Sequence, residues 1–124
     1  MGYYARYTGA VTIIPALNWP EIKSMREHFG DLDDLDIKIV VTEQETETAD
    51  GMLIKRHADR ITPWSEDSMK GYRMEEQLQA VADLFPDRVY GGHIEAVGED
   101  GARWRLRIRD GVAETIHPEL RWPE

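Results

Sequence analysis

The sequence predicts an α+β protein: an antiparallel sheet with two helices on one face, built as a ferredoxin-like (βαββαβ) core extended by one or two C-terminal strands. Three observations carry that expectation. Ala102 to Arg109 reads Ala-Arg-Trp-Arg-Leu-Arg-Ile-Arg, apolar and basic in strict alternation between Asp100-Gly101 and Asp110-Gly111. A period of two puts Ala102, Trp104, Leu106 and Ile108 on one sheet face and Arg103, Arg105, Arg107 and Arg109 on the other. Met74, Leu78, Val81, Ala82 and Phe85 recur at helical spacing. Strand-like and helix-like segments alternate in the order β-α-β-β-α-β-β, with room for a sixth strand.

The first strand spans Tyr3 to Ile14, rich in aromatic and β-branched residues. Apolar groups fall on both of its faces, as in a central strand. Gly9 marks a bulge or a close approach by another element, and Pro15 is expected to stop the strand. Asn18 then reads as a helix N-cap, with Pro20 in the first turn and Glu21 three residues after the cap. Trp19, Ile22, Met25 and Phe29 share a helical face, and Gly30 closes about three turns.

Leu35 to Thr48 reads as the second strand, buried in character over its first half and polar over its second. Asp50-Gly51 is a strong hairpin signal. Taken as a two-residue turn, it sets Glu45 opposite Arg56 and Thr46 opposite Lys55, in a third strand running from Met52 to Ile61. Thr62 to Gly71 is a loop or an irregular helix entry, containing Pro63 and Trp64. The second helix follows and ends at Pro86. Val89 to Val97 is the fourth strand. The loop Glu99-Asp100-Gly101 sets Ala96 against Trp104, Ile94 against Leu106 and Glu95 against Arg105. Val112 to Ile116 supplies the sixth strand. No repeat or low-complexity linker interrupts residues 1–124, which therefore read as a single domain.

Charged residues make up 31% and hydrophobic residues 41% of the chain, proportions of a folded globular protein. The net charge of −9 opposes nucleic-acid binding through overall charge. The absence of cysteine removes disulfides, thiolate metal sites and cysteine nucleophiles. No apolar run reaches membrane-spanning length, and the N-terminus lacks a signal-peptide core. The expected location is the cytoplasm.

Two charge patterns stand out. The stripe of Arg103, Arg105, Arg107 and Arg109 reads either as an anion-binding face or as a solvated strand face paired with Glu95 and Glu114. From Asp31 to Asp50 the chain carries eight carboxylates and one lysine. Glu43, Glu45 and Glu47 in that segment read either as a patch for a basic partner or as charges that keep an edge ribbon soluble. Asp31 to Asp36 fails the calcium-loop test, because position six is Asp36 and position twelve is Thr42. The histidines have no metal-ligand spacing. No nucleophile elbow or phosphate loop is present, so no catalytic residue, metal or cofactor is expected. His93 and Glu95 share a strand face, the geometry nearest to acid–base chemistry. Trp104 is expected in the core, Trp19 at its rim, and Trp64 and Trp122 at the domain edge or exposed.

Several segments together carry a resemblance: Met1-Gly2-Tyr3-Tyr4 with Tyr7-Thr8-Gly9, Leu17-Asn18-Trp19, Trp104 to Gly111, and Glu119-Leu120-Arg121-Trp122-Pro123. They resemble a small domain-of-unknown-function protein family of actinobacteria and their phages. The resemblance brings no activity and no functional residues. It implies a phage or mobile-element setting, and with it a host cytoplasm. The expected function is a non-enzymatic protein-interaction module, in that setting an inhibitor of a host protein or defence system. Its partner is a host protein or a second copy, since exposed sheet edges favour a homodimer. The alternative is a nucleic-acid or nucleotide binder using the arginine-rich face; no membrane partner is expected.

Overall fold

The computed structural model describes residues 3–30 and 35–118. Strand β1 (Ala5–Asn18) is the spine of the sheet. It pairs with β4 (Val89–Gly98) from Ala5–Gly98 through Ile14–Val89, and on its other side with β3 (Gly51–Pro63) from Val11–Ile61 onward. β2 (Ile37–Thr48), β5 (Arg103–Arg109) and β6 (Val112–Ile116) complete one antiparallel six-stranded sheet in the order β2-β3-β1-β4-β5-β6.

β1 does not stop at Pro15. It runs on to Asn18 through an irregularity between Thr12 and Leu17, where the ladder to β3 is interrupted. Proline is tolerated there because its missing N–H deprives no ladder bond. One face of β1 is buried, through Ala5, Tyr7, Val11, Ile13 and Leu17. The other carries Arg6, Thr8 and Ile14, all exposed. Gly9 and Gly92 occupy the crossing of β1 and β4 with φ of +94° and +67°. A Cβ on either would stand 2.6 Å from a carbonyl oxygen of the facing strand, His93 O or Ala10 O.

Helix α1 (Trp19–Phe29) begins in the expected capping box. The Glu21 N–H donates to Asn18 Oδ1 at 3.0 Å, and the Asn18 N–H donates to Glu21 Oε1 at 3.1 Å. Gly30, at φ +68°, follows its last turn. Helix α2 (Met74–Leu84) has no cap of its own at Arg73. Asp36, just before β2, replaces it. Its carboxylate accepts the Arg73 N–H at 2.8 Å, while its own N–H donates to the buried Gln77 side chain at 2.8 Å. At the other end, the Tyr90 hydroxyl donates to the Phe85 carbonyl at 2.9 Å.

The ferredoxin-like expectation needs correction. Strand accounts for 55% and helix for 20% of the described residues, so the molecule is mostly one antiparallel sheet carrying two short helices. The helix layer is also placed differently from a two-helix cover on a βαββαβ core. α1 lies on β3 and β1, while α2 lies chiefly on β6 and β5. The reason is chemical. The apolar stripe of α2 finds its partners in Leu106, Ile108 and Ala113. Gln79 then locks the position: its Nε2 donates to Gly111 O at 3.0 Å and its Oε1 accepts from the Ala113 N–H at 2.8 Å. The C-terminal strands are thus part of the core, not an appendage to it.

The β2–β3 hairpin also turns one residue earlier than expected. Thr48 pairs with Gly51, so Ala49-Asp50 forms the turn, and Arg56 faces Glu43 rather than Glu45. The core end of the ribbon sets this register. Ile39–Ile61 and Val41–Ala58 pair apolar with apolar, and a bulge between Val40 and Val41 absorbs the mismatch. The expected register would have set Ile39 against Thr62.

Candidate interaction surfaces

Tracing the cross-strand pairs assigns every strand residue to the buried or the open face of the sheet. Arg103, Arg105, Arg107 and Arg109 stand on the open face, as expected, while Leu106 and Ile108 are buried. Trp104 is half-buried on the core side, 6.2 Å from the rings of both Tyr3 and Tyr7. β4 and β5 pair in the expected register, Glu95–Arg105 and Ala96–Trp104.

Three of the four arginines have carboxylate neighbours. Arg107 Nε lies 2.5 Å from Glu114, Arg103 lies 3.7 Å from Glu95, and Arg109 lies 4.0 Å from Asp110. Among the described residues Arg105 forms no ion pair. The register brings further cations to the same face that their own segments did not reveal. Arg60 pairs with Thr12, Lys38 pairs with Thr62, and Arg6 pairs with Val97. An acidic chain thus presents a basic sheet face, in which Glu95 and Glu114 stand opposite Arg105 and Arg107, and Arg60 Nε lies 3.6 Å from the adjacent Asp59. His93 is exposed on this face beside Glu95; no hydrogen bond joins them among the described residues, and no group of three potential metal ligands occurs there.

The opposite pole is the distal half of the β2–β3 hairpin. Every residue from Thr42 to Lys55 is exposed, so neither helix covers this arm. Beyond the bulge, the face continuous with the core carries Glu43 opposite Arg56, Glu45 opposite Ile54, and Glu47 opposite Met52. Glu43 is engaged, accepting from Arg56 Nε at 2.8 Å. Among the described residues Glu45 and Glu47 have no ion-pair partner. Beside them Met52, Leu53 and Ile54 are 57%, 46% and 46% exposed, three consecutive apolar side chains in water at the tip of a projection. The acidic half of this surface was visible in the sequence. The apolar half was not singled out there: the ribbon read as exposed on the strength of its charges, and Met52 to Ile54 stand in water because the arm outruns the helices.

Trp19 is half-buried at the root of the arm, with the Arg56 guanidinium 4.8 Å and that of Arg26 5.4 Å from its ring centre. Trp64 is exposed. Trp122, and Asp31 to Asp34 of the acidic segment, lie outside the described residues. No helix among the described residues is long and apolar enough to cross a membrane.

A family model described as a family of unknown function (DUF6205) matches residues 1–124. No curated protein and no solved structure matches the chain.

Proposed function

The chain belongs to that family of unknown function, DUF6205, and from this premise we propose that it is a non-enzymatic interaction module that captures a protein partner with its hairpin arm. The observation that carries the reading is the juxtaposition on the arm of Met52 and Ile54 with Glu45 and Glu47. Exposed neighbouring apolar side chains favour association, because burying them removes apolar surface from water. The flanking carboxylates choose among partners by charge. The complementary surface is a basic segment with apolar residues interleaved. The same carboxylates disfavour self-pairing along β2, since an antiparallel copy would set glutamates against glutamates. Inhibition of a host protein, in an actinobacterial or phage setting, is one way such an arm would be used.

The test is affinity capture from lysate with the wild-type chain and with Met52→Ser/Ile54→Ser in parallel. Both substitutions fall on exposed positions, so circular dichroism is expected to be unchanged. The expected result is a partner retained by the wild type and lost by the variant. An identical set of captured proteins would count against the arm.

A second reading rests on the basic open face. Arg105, without an ion-pair partner among the described residues, stands amid Arg103, Arg107 and Arg6 and supports contact with a single-stranded nucleic acid. Titration with single-stranded oligonucleotides at low salt tests it. Binding that falls steeply with salt and vanishes in Arg105→Glu/Arg107→Glu favours this reading; no binding removes it.

A further inference from the structure

β1 and β3 are not zipped together along their whole length. Their pairing begins at Val11–Ile61, and the next tie on that side of β1 is the bridge between Ala5 and Met69. Between these points the sheet opens into a window. Ala5 and Met69 exchange both backbone hydrogen bonds, at 3.0 and 2.9 Å. By the two-residue period of a strand, the peptide groups of Tyr7 point into the same gap.

The window is the mouth of a cleft of about 520 Å³, within the ordinary range of small-molecule sites. Arg6, Thr8 and Gly9 line it from β1, Lys38 from β2, Thr62 from β3, and Trp64 from the loop that follows. Among the described residues neither Arg6 nor Lys38 forms an ion pair, although the chain as a whole is strongly acidic. Two cations without ion-pair partners, lining one cleft together with Thr8, suit a phosphate. Trp64 adds a second requirement. Its backbone is fixed by an N–H bond to Asp36 O at 2.9 Å, and the residue, 41% exposed, is part of the cleft lining. An indole held at the mouth of a cationic cleft is a stacking platform for a planar base. Glu66, also in the lining, is placed to accept hydrogen bonds from sugar hydroxyls.

We propose that the cleft between β1 and β3 binds a nucleoside monophosphate, the phosphate held between Arg6 and Lys38 and the base stacked on Trp64. This site shares no residue with the arm, so it stands or falls independently of partner capture. Stacking does not discriminate strongly among bases, so all four ribonucleoside monophosphates belong to the ligand class.

The test is isothermal calorimetry of the full chain with the four nucleoside monophosphates, inorganic phosphate, and adenosine as separate titrants. The expected result is one-to-one binding of a monophosphate, at least about tenfold tighter than phosphate or adenosine alone. Arg6→Gln and Lys38→Gln each weaken it about tenfold, and Trp64→Ala reduces it to the level of phosphate. Arg105→Gln, on the neighbouring stripe, leaves it unchanged. All four positions are exposed, and circular dichroism verifies the fold of each variant. No binding of any monophosphate at millimolar concentration overturns the proposal. So does binding that survives Arg6→Gln and Lys38→Gln, or that is lost in Arg105→Gln instead.

Discussion

The Arg56 guanidinium stands 4.8 Å from the centre of the Trp19 ring. Arg56 lies on β3 at the root of the arm, and Trp19 is the first residue of α1. The contact is therefore where the projecting ribbon is tied to the helix layer. Glu43 holds the same guanidinium from β2 at 2.8 Å, so one side chain joins both strands of the arm to the helix. These contacts brace the arm where it leaves the body of the protein.

Arg56→Ala removes the cation–π contact and the ion pair together. Both are partly exposed, so the expected loss is about 0.5–1 kcal/mol, or roughly 2–4 °C in Tm. Thermal unfolding followed by circular dichroism measures it. Arg56→Ala in a Trp19→Ala background is expected to cost less than in the wild type, which a double-mutant cycle reads directly.

Glu21 has two tasks. It completes the capping box of α1, and it receives Arg88 Nη2 at 2.5 and 2.7 Å. The Arg88 side chain is 11% exposed and also donates to the Pro15 carbonyl at 2.9 Å. Glu21→Ala leaves a largely buried guanidinium without its principal carboxylate and a helix start without one cap partner. The expected cost is about 2–3 kcal/mol by urea unfolding. Glu21→Gln, which retains the backbone cap, costs less. Equal losses for the two would show that the charge, and not the cap, carries the effect.

Gly92 and Gly101 both have positive φ but differ in surroundings. A Cβ on Gly92 meets the Ala10 carbonyl at 2.6 Å, while a Cβ on Gly101 meets nothing within 4 Å. Gly101→Ala is expected to cost about 1 kcal/mol, the conformational term alone. Gly92→Ala adds a backbone clash in the β1–β4 ladder, and about 3 kcal/mol or outright failure to fold is expected. Similar stabilities for the two variants would mean that the strands part without cost at that crossing.

Three tyrosines resist ionisation. The hydrogen bond that the Tyr3 hydroxyl donates to Asp100 pushes its pKa up to about 12, and burial pushes Tyr90 up to about 12. Burial, with the nearby Asp36 carboxylate, raises Tyr7 as well. A raised folded value means that the folded state keeps protons the unfolded chain has released. The contribution is complete below about pH 10 and is lost as pH climbs toward 12. Ultraviolet titration should show Tyr3, Tyr7 and Tyr90 keeping their protons past the ordinary tyrosine range until the protein unfolds. At the acid end the same pair acts with the opposite sign. Tyr3 lowers the Asp100 carboxyl below its ordinary value, so that contribution holds above about pH 4 and fades as acid protonates the carboxylate.

Local chemistry was legible in the sequence. The Asn18–Glu21 box, the apolar stripe of α2, the Glu99-Asp100-Gly101 loop and the alternation around Trp104 each depend on residues a few positions apart. What could not be read depends on competition between distant segments. The helix layer followed the apolar surface of β5 and β6, which no rule internal to α2 contains. The hairpin register was set by Ile39–Ile61 and Val41–Ala58 at the core end, against the strong local preference of Asp50-Gly51. Arg6, Lys38 and Arg60 are single cations in three separate segments, and only strand pairing gathers them beside the arginine stripe. The exposure of Met52 to Ile54 likewise depends on where the helices end.

The most direct test of the arm is hydrogen–deuterium exchange of the chain alone and in complex with its captured partner. Protection on binding is expected across Thr42 to His57, with little change over Arg103 to Arg109. Protection of β5 and the neighbouring open face, with the arm exchanging as fast as in the free chain, would contradict the account.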